Sequence, residues 1–263
     1  MAKMPPGMKT TKSKQGALSF GPPDLDAFGA KIVLYAVEGW GKTTLAAHAF
    51  NPALILSEDE TGYETLYRIG DVPECDCVVT SQWMETQQAI DLAAEDHDTI
   101  VMDALGGFQE QCFLHVRNND FKSSWQSFMH FHKGYEASKR YWKRMLSKLE
   151  DTGCHLILLA HAKTVKHQNP VGEDFDRYTA DLHEKLWSLT KRHTDAVLFG
   201  NWRTQVEDGK GTGGEERVLY AEHRDAFDAK NRFNMQAEIT MPDDPEATFD
   251  VVWQFVEPEK YGD

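Results

Sequence analysis

The stretch KIVLYAVEGWGKTT, Lys31–Thr44, decides how the remaining residues are read. KIVLYA has the length and the β-branched and aromatic content of a buried strand. It runs into a turn and ends in Gly41-Lys42-Thr43, after which LAAHAF continues with helical texture. Strand, glycine-bearing loop and helix start make a phosphate cradle. Backbone N–H groups at a helix N-terminus surround a β-phosphate, the lysine reaches the β- and γ-oxygens, and the next hydroxyl holds Mg²⁺. On this reading the nucleotide-binding residues are Ala36, Val37, Glu38, Gly39, Trp40, Gly41, Lys42, Thr43 and Thr44. The pattern G-x-x-x-x-G-K-[ST] asks for glycine where Ala36 stands. Alanine is tolerable there, because that position closes the strand and does not face phosphate. Trp40, in mid-loop, either packs on the sheet or meets a neighbouring subunit.

Outward from this stretch, short apolar runs alternate with helical ones. ALILS (53–57), CDCVVTS (75–81), DTIVMDA (98–104), CHLILLAHA (154–162) and AVLFGN (196–201) read as strands. Helices are expected over 42–48, 84–94 and 180–191, with a long, largely helical region between the strands at 98–104 and 154–162. The alternation predicts an α/β fold with a mostly parallel central sheet flanked by helices. After Asn201 the texture changes. DGKGTGGEE (208–216) separates WRTQV from RVLYAE, which predicts a C-terminal antiparallel hairpin extension. EITM is a further strand, and Asp244 as cap with Pro245 at the first helical position opens a short terminal helix. Residues 1–23, basic and poor in apolar side chains, read as a disordered arm, leaving 24–263 as one domain.

A phosphate cradle needs a carboxylate at a neighbouring strand end to act on Mg²⁺. Asp103, closing Thr99-Ile100-Val101-Met102, has that form, so Thr43 and Asp103 are the expected metal pair. Hydrolysis also needs a group that orients the attacking water. Glu58 and Glu60 lie just beyond ALILS, where a doubly wound sheet opens its ligand crevice. His161 ends CHLILLA, a place from which a polar side chain senses a γ-phosphate and passes the signal into the following loop.

Composition is that of a globular protein, with 41% apolar and 27% charged residues. No apolar run approaches the roughly 18 residues of a membrane span, and the N-terminus lacks a secretory signal, so a cytoplasmic protein is expected. Cys75, Cys77, Cys112 and Cys154 spell neither a zinc site nor a disulfide framework and read as reduced cysteines in or near the core. A net charge of −14 argues against a polyanion partner, but its distribution is uneven. From Arg117 to Lys166 ten Lys/Arg stand against four acids. Such a stretch is either a polyanion surface or the solvated face of a helix.

These residues resemble the phage-encoded RecA-like P-loop ATPases of AAA/RecA type, the group that includes Sak-type single-strand-annealing proteins. The resemblance runs from about Lys31 to Met235. It rests on EGWGKTTLA, DETGYETL, IVMDAL, LAHAKTVKHQNPVGEDFDRYTADLHEKLWSLT, DAVLFGN and RVLYAEHRDAFDAKNRF. It implies Lys42 and Thr43 on ATP·Mg²⁺ and Asp103 as the Walker B carboxylate. It places the catalytic carboxylate at Glu60-Thr61-Gly62, preferring Glu60 to Glu58. It likens Lys230 and Arg232 to the Lys-x-Arg element whose cations complete a neighbouring subunit's site. The loop 162–179 falls where such proteins place a mobile DNA-binding loop, with Lys163, Lys166, His167 and Arg177 as contacts. Gly106-Gly107 as a hinge, with Arg117, Lys122 and Trp125, offers a second contact. The departures are Ala36, Trp40 and the marked acidity.

The expectation that follows is an ATP-hydrolysing homo-oligomer, ring or filament, with sites at subunit interfaces. It would act on single-stranded DNA in phage recombination or replication within a bacterial cell, a single-strand-binding protein being a further partner and membranes none. A nucleotide-gated assembly module with little turnover is the alternative. A small-molecule kinase ranks third, for want of an Arg-rich lid.

Overall fold

Every residue of Lys31–Ala36 (β1) after the first is buried, because the strand has parallel neighbours on both edges. In the computed structural model, which describes residues 29–169, 172–207 and 210–261, chain order from β1 is as follows. Lys42–Ala47 (α1), Pro52–Ser57 (β2), Gly62–Ile69 (α2), Asp76–Thr80 (β3), Trp83–Asp96 (α3) and Thr99–Asp103 (β4) come first. Leu105–Asp120 (α4), Trp125–Met129 (α5), a 3₁₀ turn at His130–His132 and Lys133–Asp151 (α6) form the helical region. His155–His167 (β5), Phe175–Ala180 (β6), Glu184–His193 (α7), Ala196–Glu207 (β7) and Lys210–Tyr220 (β8) follow. Glu238–Thr240 (β9), Ala247–Trp253 (α8) and Pro258–Tyr261 (α9) close the described chain. The expected arm at 1–23 lies outside the described residues.

The sheet order is β3-β2-β4-β5-β1-β7-β8-β9, parallel from β3 to β7 and antiparallel beyond, with β6 paired to β5. This is the α/β architecture expected of a P-loop NTPase. Period-2 alternation splits β1 between two cores. Val33 and Tyr35 face Phe108, Trp142 and Trp187 of α4, α6 and α7. Ile32, Leu34 and Ala36 face Leu45, Phe249 and Trp253 of α1 and α8. Among the described residues no helix is long and apolar enough to cross a membrane.

Several expectations change. The expected loop 162–179 is for the most part a β-hairpin: β5 runs on to His167, and Ala162–His167 pairs antiparallel with Phe175–Ala180. KTV and RYT are strand-forming, so the chain stays extended after leaving the parallel sheet. The helix expected from Ala180 therefore starts at Glu184, where the His183 ring accepts from the Lys185 N–H. Gly106 and Gly107 are no hinge; they lie in the first turn of α4, and a Cβ on Gly107 would stand 2.4 Å from the Ser57 side chain. Asp244 does not cap α8, which begins at Ala247; its carboxylate accepts from the Glu246 N–H and shapes the turn before the helix. Cys77 is exposed, on the edge strand β3, rather than near the core.

Trp40 is 1% exposed, its indole N–H donating to the Asn201 carbonyl at 3.1 Å. Its ring lies over Gly200, where an added Cβ would meet it at 2.6 Å. The tryptophan thus packs on the sheet, and β7 carries glycine there to admit it. Gly200→Ala is expected to overpack this contact and cost about 1–3 kcal/mol, read as a lower urea midpoint at constant m-value. An unchanged midpoint would show that the ring yields freely.

Candidate nucleotide-binding site

The loop 37–41 turns from β1 into α1 through two glycines in the left-handed region, Gly39 at φ 70° and Gly41 at φ 102°. A side chain at either would be strained, so the glycines set the loop's path. The Val37 N–H donates to the Gly200 carbonyl at 3.2 Å, anchoring the loop start to β7. Ala36 is fully buried at the end of β1, in register with His161 and Gly200. Its methyl group belongs to the core, which accounts for alanine where the motif asks for glycine.

Lys42 is 8% exposed, and among the described residues its ammonium hydrogen-bonds only to the Ala36 carbonyl, at 3.5 Å. Burial pulls its pKa down, and Asp103, Glu60 and Glu38 pull it back up. Thr43 donates its hydroxyl to Asp103 Oδ2 at 2.7 Å. Asp103, 3% exposed, has its pKa pushed up to about 6, chiefly by burial, with the Thr43 hydrogen bond opposing and the Glu60 charge adding. A buried carboxylate in that state is short of positive charge. With the adjoining hydroxyl it suits Mg²⁺, which takes one or two protein oxygens and completes its shell with phosphate oxygens and water.

Glu60 and His161 meet across the site, Oε1 to Nε2 at 2.8 Å. The hydrogen bond from His161 lowers the Glu60 pKa against its partial burial, and the same bond raises that of His161. Glu58 is exposed, and of the two carboxylates it is Glu60 that meets His161. The structure thus gathers Lys42, Thr43, Asp103, Glu60 and His161 around one loop, as expected from the sequence.

Other expected residues are occupied elsewhere. Lys230 donates to the Lys191 and Thr194 carbonyls at 3.0 and 2.5 Å, capping the C-terminus of α7. The segment around it forms one bridge to Val197, not a strand. Arg232 pairs with Asp195 at 3.1 Å but keeps 60% of its side chain exposed. Arg177 is committed to Asp228 at 2.9 Å in a largely buried pair and is not free for phosphate. Lys163 binds the Leu182 carbonyl and Asp181, Lys166 approaches Asp174, and His167 packs on Phe175.

Two residues to which the sequence assigned no role also support the site. Arg217 on β8 donates to the Trp40 carbonyl at 3.4 Å and to the Pro242 carbonyl, bracing the phosphate loop from outside. Asp228 accepts from Arg177, Thr179, Trp187 and Lys191, while its own carbonyl accepts from the Tyr35 hydroxyl at 2.6 Å. Both lie within RVLYAEHRDAFDAKNRF, but nothing in that stretch reveals their roles, because their partners are distant in sequence.

A carboxyl whose pKa is raised is charged only above that value, so a cation held by Asp103 competes with a proton near pH 6. Mg²⁺-dependent nucleotide affinity, read by a fluorescent ATP analogue, is expected to fall tenfold or so per pH unit below about 6, as one proton is taken up. Asp103→Asn should bind weakly and lose this dependence. An equally steep profile in the variant would assign it to another group.

A sequence profile described as an AAA domain matches residues 29–233. A search of curated proteins finds no match to the chain. The matched residues include the phosphate loop, Glu60, Asp103, His161 and Arg232, and they span most of the sequence. The chain belongs to this AAA domain family of P-loop ATPase-type proteins.

Proposed function

We propose that the protein binds and hydrolyses ATP with Mg²⁺, assembles into a homo-oligomer, and acts on single-stranded DNA in phage recombination or replication, as a Sak-type annealing protein would. The observation that carries the ATPase part is the convergence of Thr43–Asp103 and Glu60–His161 on one phosphate loop. Thr43 and Asp103 would hold Mg²⁺, which when bound neutralises charge on phosphate oxygens. Lys42 adds a fixed positive charge in a dry site, where it counts for more than in water. Glu60, drawn toward its ionised form by the His161 hydrogen bond, would orient an attacking water and take its proton.

His161 holds Glu60 and is followed directly by the hairpin formed by Ala162–His167 and β6. A strand running from the histidine that holds this carboxylate into the hairpin supports a reading in which DNA at the hairpin alters the Glu60–His161 bond and so the turnover. Arg232, exposed and on a segment fixed by the capping Lys230, is our choice for the cation that completes a neighbour's site. Such a group is worth roughly 10³–10⁵ in rate. The hold of His161 on Glu60 also favours a second reading, a nucleotide-gated assembly switch with little turnover.

Glu60→Gln is expected to lower the turnover rate by about 10²–10⁴ while ATP binding persists, measured by phosphate release beside analogue titration. Oligothymidylate should raise wild-type turnover. DNA affinity should fall with salt by roughly 0.7 log units per log unit for each phosphate contacted. Absence of turnover in an assembled, DNA-bound wild type would leave the switch reading standing, and absence of salt-sensitive DNA binding would remove DNA from the proposal. Arg232→Ala should lose turnover and regain part of it when mixed with Glu60→Gln, if the cation acts across subunits.

A further inference from the structure

The connection between α4 and α6 is built as a rigid mount for one exposed ring. Phe128 is fully buried, packed against Phe113, Phe121, Trp125 and Tyr135 at centroid distances of 5.2–5.8 Å. It sits on Gly134, where any Cβ would stand 2.2 Å from the ring, so glycine is required there. Three residues beyond this anchor, Phe131 is 80% exposed, and Met129 and Trp125 nearby are 58% and 40% exposed. Phe131 and His132 are both held in the left-handed region, at φ 51° and 58°, a conformation that costs side-chain-bearing residues energy. The hydrophobic effect gives no reason to mount a phenyl ring in water on so well packed a base.

Charge says what the ring meets. Between Cys112 and Tyr135, Arg117, Lys122 and Lys133 stand against Asp120 alone, in a chain of net charge −14. Asp120 is taken by Arg140 at 3.2 Å, while Lys122 and Lys133 have no ion-pair partner among the described residues. Arg117 lies over the Trp125 ring at 4.8 Å. His130 and His132 flank Phe131, the first with its ring 4.3 Å from the phenyl centroid. An aromatic ring set among cations and N–H donors fits a polyanion whose bases can stack. An apolar peptide would have no use for the cations, and a duplex hides its base faces.

The surface continues to the hairpin. Tyr135 stacks on His183 at 4.3 Å, and His183, lowered in pKa chiefly by burial, lies within electrostatic reach of Lys185, His132 and Lys163. Lys163 lies two residues beyond His161, the partner of the catalytic carboxylate. We infer that 121–133 is a base-stacking platform for single-stranded nucleic acid, with Phe131 as the ring that stacks on a base and Lys122 and Lys133 as its phosphate contacts. This inference rests on the proposed action on single-stranded DNA and locates it on residues of the α4–α6 connection.

The test is fluorescence anisotropy of a labelled oligothymidylate with the full chain and a slowly hydrolysed ATP analogue. Phe131→Ala should weaken binding about 5- to 150-fold, the value of one stacked base, with an unchanged thermal midpoint because the ring is exposed. Phe131→Trp should restore it. Lys122→Gln with Lys133→Gln should reduce the salt slope by about 1.4, two single-strand phosphate contacts. Photocrosslinking of an iodouracil-bearing oligonucleotide should label Phe131 or Trp125. Wild-type binding that Phe131→Ala leaves intact overturns the platform and spares the DNA reading. No wild-type binding overturns both. Loss by Phe131→Ala of binding to anionic vesicles, with oligonucleotide binding kept, reassigns the ring to a lipid surface.

Discussion

The registration of β1 between β5 and β7 is the constraint on which the rest of the molecule depends. Parallel pairing on both edges sets Ala36 level with His161 on one side and Gly200 on the other. The end of β1 thereby becomes the floor of the crevice, and the phosphate loop rises from it. β4 lies one strand beyond β5, bringing Asp103 within hydrogen-bonding reach of Thr43. A slip of one residue would exchange the two faces of β1 between its cores and carry the loop out of reach of its carboxylate.

Around this floor the protein keeps ionisable groups poised by opposing effects. Burial disfavours the charged forms of both Lys42 and Asp103; the Asp103 carboxylate draws Lys42 back toward its charged form, and the Thr43 hydrogen bond and then the Lys42 charge do the same for Asp103. Glu60 escapes that pressure through His161. A second polar centre, Asp228, ties the β5–β6 hairpin to α7 through its carboxylate and to β1 through its carbonyl and Tyr35. Tyr35 precedes Ala36, so the hairpin and the phosphate loop are braced by one buried network. Breaking one partner of such a network leaves the others unsatisfied, which makes the two regions mechanically dependent.

Legibility in the sequence followed locality. Gly41-Lys42-Thr43 could be read because strand, turn and helix are contiguous and each has a composition its geometry demands. Asp103 and Glu60 could be read because strand ends next to a phosphate loop are few. His161 was legible for the same reason. The intramolecular partners of Arg177, Lys163 and Lys230 are not legible, since a positive charge in a sequence does not reveal the carboxylate or helix end beside it. The hairpin in 162–179 was missed because polar, alternating strands resemble a loop by composition.

By itself, then, the sequence determined the class of fold and the chemistry of the loop, because hydrophobic periodicity and glycine placement are local properties of the chain. Tertiary structure alone decided which groups meet. It turned Trp40 inward over Gly200, bound Lys230 to the end of α7, brought Arg217 to the back of the loop and lifted Phe131 on its Phe128 anchor. Each of these depends on contacts between residues far apart in the chain or on which side of a packed segment faces water. Only the folded chain settles such facts.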